Sequence, residues 1–179
     1  MKWLKRILLS ILALALLAVG TLYAWSATII GKEFPAERRE LSRSTAPDVL
    51  AEGERLAQVF GCANGCHGRN MEGTLAFEAP FVGRFYAPSL TAAVRNYTPG
   101  QFEALVRQGV RPDGSSLFGM PSDSFSIMAD EHLSAVYSYI SSVPDQDDVA
   151  GETSIGPLGR LGLIMGEHWP AAARARQPW

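Results

Sequence analysis

Cys62-Ala63-Asn64-Gly65-Cys66-His67 decides how this chain is read. Two thiols followed at once by an imidazole is the pattern of covalent haem attachment. The sulfurs add across the porphyrin vinyl groups, and the adjacent histidine reaches the iron from one face. The common form has two residues between the cysteines; this one has three, Ala63, Asn64 and Gly65. The extra residue has to be absorbed as a bulge. Asn64-Gly65 suits one, since glycine takes positive φ freely and asparagine tolerates it. Cys62 and Cys66 are the only cysteines in 179 residues, so a structural zinc site, which needs four N or S ligands, lacks its second pair. The other readings are a Cys62–Cys66 disulfide clip in an exported chain and a redox-active dithiol. Neither accounts for His67.

In an electron carrier, a haem of this type takes histidine on one side and methionine on the other. The chain offers Met1, Met71, Met120, Met128 and Met165. Met71 follows His67 too closely to pass around a porphyrin, and Met128 precedes a helix start and reads as core. Met120 stands in the loop Gly119-Met120-Pro121. There glycine permits close approach and proline fixes the chain just past the ligand. His67 and Met120 are the expected iron ligands. Ligation through His132 is the weaker geometry, because it sits on a helix beside Asp130 and Glu131; His168 lies in the tail.

Around these residues the pattern is helical. Val49, Gly53, Leu56 and Phe60 recur on one helical face. Thr98-Pro99-Gly100-Gln101 is an N-terminus signature, with threonine as cap and glutamine where a capping box needs it. Phe102, Leu105 and Val106 then face inward, and Gly109 ends the helix. Asp130 is expected to cap a last helix that buries Leu133, Val136, Tyr137 and Ile140 and stops at Pro144. Such helices with aromatic-containing loops bury little by themselves, and a porphyrin would supply the apolar centre. Leu75, Phe77, Phe81, Phe85, Leu90 and Phe118 are the candidates to line it.

The order Cys-x-x-x-Cys-His, a helix, Gly-Met-Pro, then Asp-Glu-x-Leu opening a final helix resembles the class I cytochrome c domain over about residues 47–144. It is closest to the monohaem domains of bacterial membrane-bound or periplasmic electron-transfer complexes. The resemblance implies an all-α cytochrome c fold, three to five helices around one haem c. Cys62 and Cys66 would hold the haem covalently, with His67 and Met120 as axial ligands. It implies that the first and last helices cross in contact, Gly53 meeting Val136, Tyr137 and Ile140. It implies a proline carbonyl that orients the proximal imidazole, for which Pro80 is the candidate. Where many relatives carry Pro-Asn-Leu-Thr, this chain has Pro88-Ser89-Leu90-Thr91, without the asparagine amide. The expected role is a one-electron carrier with no catalytic residue of its own. The partners would be a membrane dehydrogenase or quinol-oxidising complex and a terminal acceptor. The competing classes are a five-coordinate haem enzyme or gas sensor, and a haem-free anchored module closed by a disulfide.

Lys2, Lys5 and Arg6 precede Ile7 to Ile30, 24 residues without a charge. As a helix that run is about 36 Å long, enough for a bilayer core of about 30 Å. Tyr23 and Trp25 suit an aromatic belt at its far end, and the basic flank points to the cytoplasm. A cleaved signal peptide is the rival, but Ala24-Trp25-Ser26 matches a cleavage site poorly and the uncharged run is long for a signal core. The expected organisation is an anchor over 1–30, a charged tether over 31–46, the cytochrome c domain over 47–144 and an extension over 145–179. The expected location is the bacterial inner (cytoplasmic) membrane, crossed once, with the haem domain in the periplasm. Beyond residue 30, 13 basic residues face 18 acidic ones, a balance that disfavours nucleic acid. Arg69, Arg84, Arg95 and Arg111 are candidates to meet the haem propionates. The tail, too short and glycine-rich for a second span, is expected to pack back on its domain, or else to dock on a partner subunit or the membrane surface.

Overall fold

The uncharged run forms part of one helix, α1 (Lys2–Ile30), in the computed structural model, which describes residues 2–146, 151–167 and 170–177. Its apolar side chains project outward, and it is long and apolar enough to cross a membrane. Residues 31–46, expected as a tether, lie along the body of the protein. Their charged side chains are exposed, but Phe34 and Leu41 are buried. The Phe34 N–H donates to the Gly114 carbonyl at 2.9 Å, and those of Ser42 and Ser44 donate to the Ser134 and Ser138 hydroxyls at 3.3 and 3.0 Å.

Next come α2 (Pro47–Val59), a hairpin of β1 (Thr74–Ala79) and β2 (Gly83–Ala87), and α3 (Leu90–Asn96). Then α4 (Pro99–Glu103) runs on as one π-helical turn (Ala104–Gln108), followed by α5 (Ser122–Phe125) and α6 (Asp130–Ser142). The tail adds β3 (Ser154–Ile155), α7 (Pro157–Met165) and α8 (Ala171–Arg174). The all-α expectation is corrected here: β1, β2 and β3 form an antiparallel sheet in that order. The stretch 74–87 looks like an aromatic loop in sequence because its alternation is interrupted. Its register slips between Leu75 and Phe77, and a proline stands at the tip. Across the hairpin, the Phe77 and Phe85 rings lie 5.8 Å apart.

The frame is the crossing of α2 and α6. A Cβ on Gly53 would stand 2.1 Å from the Ala135 carbonyl oxygen, so only glycine lets the two backbones come this close. The nearest groups on α6 belong to Ala135 and Tyr139, while Val136, Tyr137 and Ile140 are buried in the core with Leu56 and Ala57. Thr98 and Gln101 form the reciprocal capping box, and Gly109 ends the π-helical turn at φ 64°. Asp130 is not the cap of α6. Ala129 takes that position without a side-chain bond, and the Asp130 carboxylate lies 2.6 Å from Arg107 Nη1 instead. An ion pair with a buried arginine has displaced the capping bond.

Candidate functional site

The stretch around residues 62–67 leaves the end of α2 in a coil with left-handed residues: Gly61, Asn64 and Gly68 have φ of 73°, 59° and 83°. Asn64 absorbs the inserted residue in the left-handed region. Gly65 does not, and is required for a different reason, since a Cβ there would lie 2.6 Å from the Gly61 carbonyl oxygen. The Cys66 N–H donates to that same oxygen at 3.0 Å, which closes the loop. Cys62 is half-buried and Cys66 exposed, both as free thiols. Burial pushes the Cys62 thiol up to about 11, so it stays protonated at neutral pH, unlike the cysteine of a reactive dithiol.

His67 is buried with Nδ1 2.8 Å from the Pro88 carbonyl oxygen. A carbonyl can only accept, so Nδ1 carries the proton and Nε2 keeps its lone pair. Burial also holds the imidazole pKa below its ordinary value, which keeps the ring neutral. The orienting proline is therefore Pro88; Pro80 is spent in the hairpin turn, where the Val82 N–H donates to Ala79 at 3.2 Å. Ser89, which stands where the asparagine was expected, caps α3. Its hydroxyl accepts from the Ala92 N–H at 3.2 Å and bonds Thr91 at 3.0 Å.

Cys62, His67 and Met120 line one narrow apolar cleft. Phe102 and Val106 form one wall, Phe125 and Met128 another, and Leu133, Val136 and Ile140 of α6 the floor. Of the six residues expected to line a porphyrin, Leu90 alone lines this cleft. Leu75, Phe77 and Phe81 are exposed on the hairpin, while Phe85 and Phe118 are half-buried and do not line the cleft. His132 is exposed on α6, and His168 lies outside the described residues. Arg84 and Arg95 are held by Glu78 and Asp145, Arg111 by Ser115 and Ser116, and Arg69 is exposed.

The Met120 loop is clamped from the tail, which sequence reasoning missed. Arg174 Nη2 donates to the Met120 carbonyl at 2.8 Å, and its Nε lies 3.3 Å from the Asp123 carboxylate. The Ala171 N–H donates to the Leu117 carbonyl at 2.9 Å, and Ser122 Oγ donates to the Leu105 carbonyl at 3.3 Å. Thus α8 grips both sides of Met120. Arg174→Ala is expected to loosen this loop by about 1.5 kcal/mol, the worth of a charge-assisted hydrogen bond. Faster amide exchange over 117–123, with α2 and α6 unchanged, is the expected readout.

A neutral imidazole with a free Nε2, a thioether and a half-buried thiol around an apolar cleft are the donors that haem iron and a porphyrin edge require, so the residues present fit the group.

No protein-family model matches the chain. It is 37% identical over 90 residues to the cytochrome c subunit of a quinone-dependent alcohol dehydrogenase of Gluconacetobacter polyoxogenes, covering 48% of this chain and 19% of that protein. It is 35% identical over 100 residues to the fructose dehydrogenase cytochrome subunit of Gluconobacter japonicus, covering 51% and 20%. With the gluconate 2-dehydrogenase cytochrome c subunit of Pantoea cypripedii it shares 32% over 109 residues, covering 55% and 24%. The chain spans about a fifth of the length of the first two of these relatives. What it is similar to is a cytochrome c subunit, an electron-transfer component and not the catalytic part of a dehydrogenase.

Proposed function

We propose that this chain is a membrane-anchored one-electron carrier. One haem c is held covalently by Cys62 and Cys66 and ligated by His67 and Met120, and the carrier serves a quinone-linked dehydrogenase at the periplasmic face of the inner membrane. The observation that carries the proposal is the oriented imidazole: Pro88 fixes His67 Nδ1, and the cleft lined by His67 also receives Met120. When bound, haem supplies the one-electron Fe(III)/Fe(II) couple.

The chain's own part is to hold and to shield. The Pro88 carbonyl fixes the tautomer and angle of the His67 ring. Gly119, at φ 85°, and Pro121 set the loop so that Met120 reaches the cleft, and Arg174 keeps it there. Phe102, Val106, Leu133 and Ile140 exclude water, and an apolar site with a thioether donor favours the reduced form of a ligated iron. Two protein ligands leave no position for a substrate, which favours a carrier over a five-coordinate enzyme or gas sensor. The similarity to dehydrogenase cytochrome subunits supports a dehydrogenase as electron donor; the acceptor downstream is a further redox protein. The basic residues Lys2, Lys5 and Arg6 in the first turns of α1, ahead of its uncharged run, support the orientation, with the body of the protein outside the cytoplasm.

The test begins with full-length protein expressed alongside a working cytochrome-maturation system. Haem should stay on the polypeptide through a denaturing gel, and the reduced protein should show sharp low-spin α and β bands. Met120→Ala should abolish the methionine–iron charge-transfer band of the oxidised form and open the reduced form to carbon monoxide, while Met128→Leu should leave both unchanged. A colourless product would overturn the proposal, and loss of the band in Met128→Leu alone would move the ligand to Met128.

A further inference from the structure

α7 packs against one face of the last turns of α1. Ser26 is fully buried and accepts from Arg160 Nη1 at 2.9 Å, while the Arg160 guanidinium stacks 4.5 Å above the Tyr23 ring. Arg160 Nε also donates to the Ile155 carbonyl at 3.2 Å, which ties the start of α7 to the same point. Counting from Arg6, the 20 residues Ile7–Ser26 make a helix of about 30 Å, the thickness of a bilayer core. The Ser26–Arg160 contact therefore falls at the edge of the hydrocarbon, where an arginine places its charge in the headgroups.

Beside this contact lies apolar surface that is left exposed among the described residues. Leu158, Leu161 and Met165 follow one helical stripe of α7 and are 54%, 44% and 65% exposed, while Gly159 and Leu163 of the same helix are buried. Phe81 at the hairpin tip is 71% exposed and adjoins the stripe, since its carbonyl accepts from the Leu158 N–H at 2.9 Å. Phe81 also takes φ 63°, a left-handed conformation that disfavours a bulky residue, and no buried contact of its ring offsets that cost. The hairpin and α7 are locked together. The Gly156 N–H donates to the Val82 carbonyl at 2.9 Å, and Cβ atoms on Gly156 and Gly159 would lie 2.3 Å from the Phe81 and Val82 carbonyl oxygens.

We propose that Phe81, Leu158, Leu161 and Met165 insert into the interfacial zone of the bilayer that α1 crosses, so that the protein sits on the membrane through a second contact beside its anchor. The occupant is lipid because the patch lies on the helix that packs against α1, at the depth where α1 leaves the hydrocarbon. Such a contact holds the candidate haem cleft at a fixed height and tilt over the membrane, instead of leaving it to rotate about one helix. The proposal rests on reading α1 as a membrane span and is independent of haem.

The test uses the full chain in phosphatidylcholine vesicles with p-benzoylphenylalanine in place of Phe81, Leu161 or, as an exposed position on α2, Glu54. Illumination should add the mass of one phospholipid at 81 and at 161 but not at 54. Adducts to protein alone at 81 and 161 would overturn the proposal in favour of a second copy or another subunit; the absence of any adduct would overturn it in favour of solvent. Each sample is first washed with alkaline carbonate. A chain that washes off overturns the patch together with the anchor, whereas a chain that stays but gains no lipid overturns the patch alone.

Discussion

Arg107→Ala should cost about 3–5 kcal/mol of stability, the penalty for removing one partner of a buried ion pair. Arg107 and Glu103 are both buried, one turn apart, with Nη1 3.4 Å from the Glu103 carboxylate. The same guanidinium reaches Asp130 at 2.6 Å and the Met128 carbonyl at 2.6 Å. Without it, Glu103 keeps only the Gln108 amide at 3.2 Å, and a carboxylate in an apolar setting is left without a cation. The damage would spread to the cleft, because Met128 lines it and Asp130 begins the helix that forms its floor. Arg107→Lys should recover part of the loss, keeping the charge but not the fork that serves three acceptors at once. Glu103→Leu combined with Arg107→Met should recover most of it, since a buried pair is often replaceable by apolar groups of like volume. Urea titration of the detergent-solubilised chain reads all three, as a shift of midpoint at constant slope. A single variant as stable as the parent would mean that Glu103 is not buried in solution as it is here.

That cluster was not legible in the sequence, and neither was much of what surrounds the candidate site. What could be read was local: the left-handed turn at Asn64, the capping box at Thr98, the helix end at Gly109 and the small residue at Gly53. Each is a pattern within a few residues, where spacing alone constrains geometry. That Met120 would come to the cleft of Cys62 and His67 followed from the glycine and proline around it, which is again local. The misses are long-range. Pro88 meets His67 across 21 residues and Arg174 meets Met120 across 54, and nothing in the sequence distinguishes Pro88 from Pro80 or Arg174 from any other arginine. Phe77 and Phe81 were assigned to the apolar centre on composition, whereas the strand and turn of the hairpin leave both exposed. Asp130 fitted a cap by position and was drawn off by an arginine 23 residues earlier. Residue type fixes what a side chain can do, but only the packing decides which partner it finds.

Gly53→Ala should cost about 3 kcal/mol, the upper part of the range for over-packing, although it adds one methyl group. The new Cβ would lie 2.1 Å from the Ala135 carbonyl oxygen, 2.7 Å from its carbon and 2.8 Å from Tyr139 Cβ, so two of the three obstacles are backbone and cannot rotate away. Alanine is the better helix former, so propensity alone predicts a gain of about 0.5–1 kcal/mol. The sign of the result therefore separates the crossing from propensity. Gly20→Ala is the matched control, because nothing lies within 4 Å of its Cβ and only propensity acts there. Relief requires α6 to move away from α2, and α6 carries Leu133, Val136 and Ile140 into the cleft. The variant should therefore lose stability and widen the cleft together, read as a lowered urea midpoint and, in haem-loaded protein, a weakened methionine–iron band. If Gly53→Ala proved neutral or stabilising, the close approach of the two helices would be wrong, and with it the geometry that brings His67 and Met120 to one cleft.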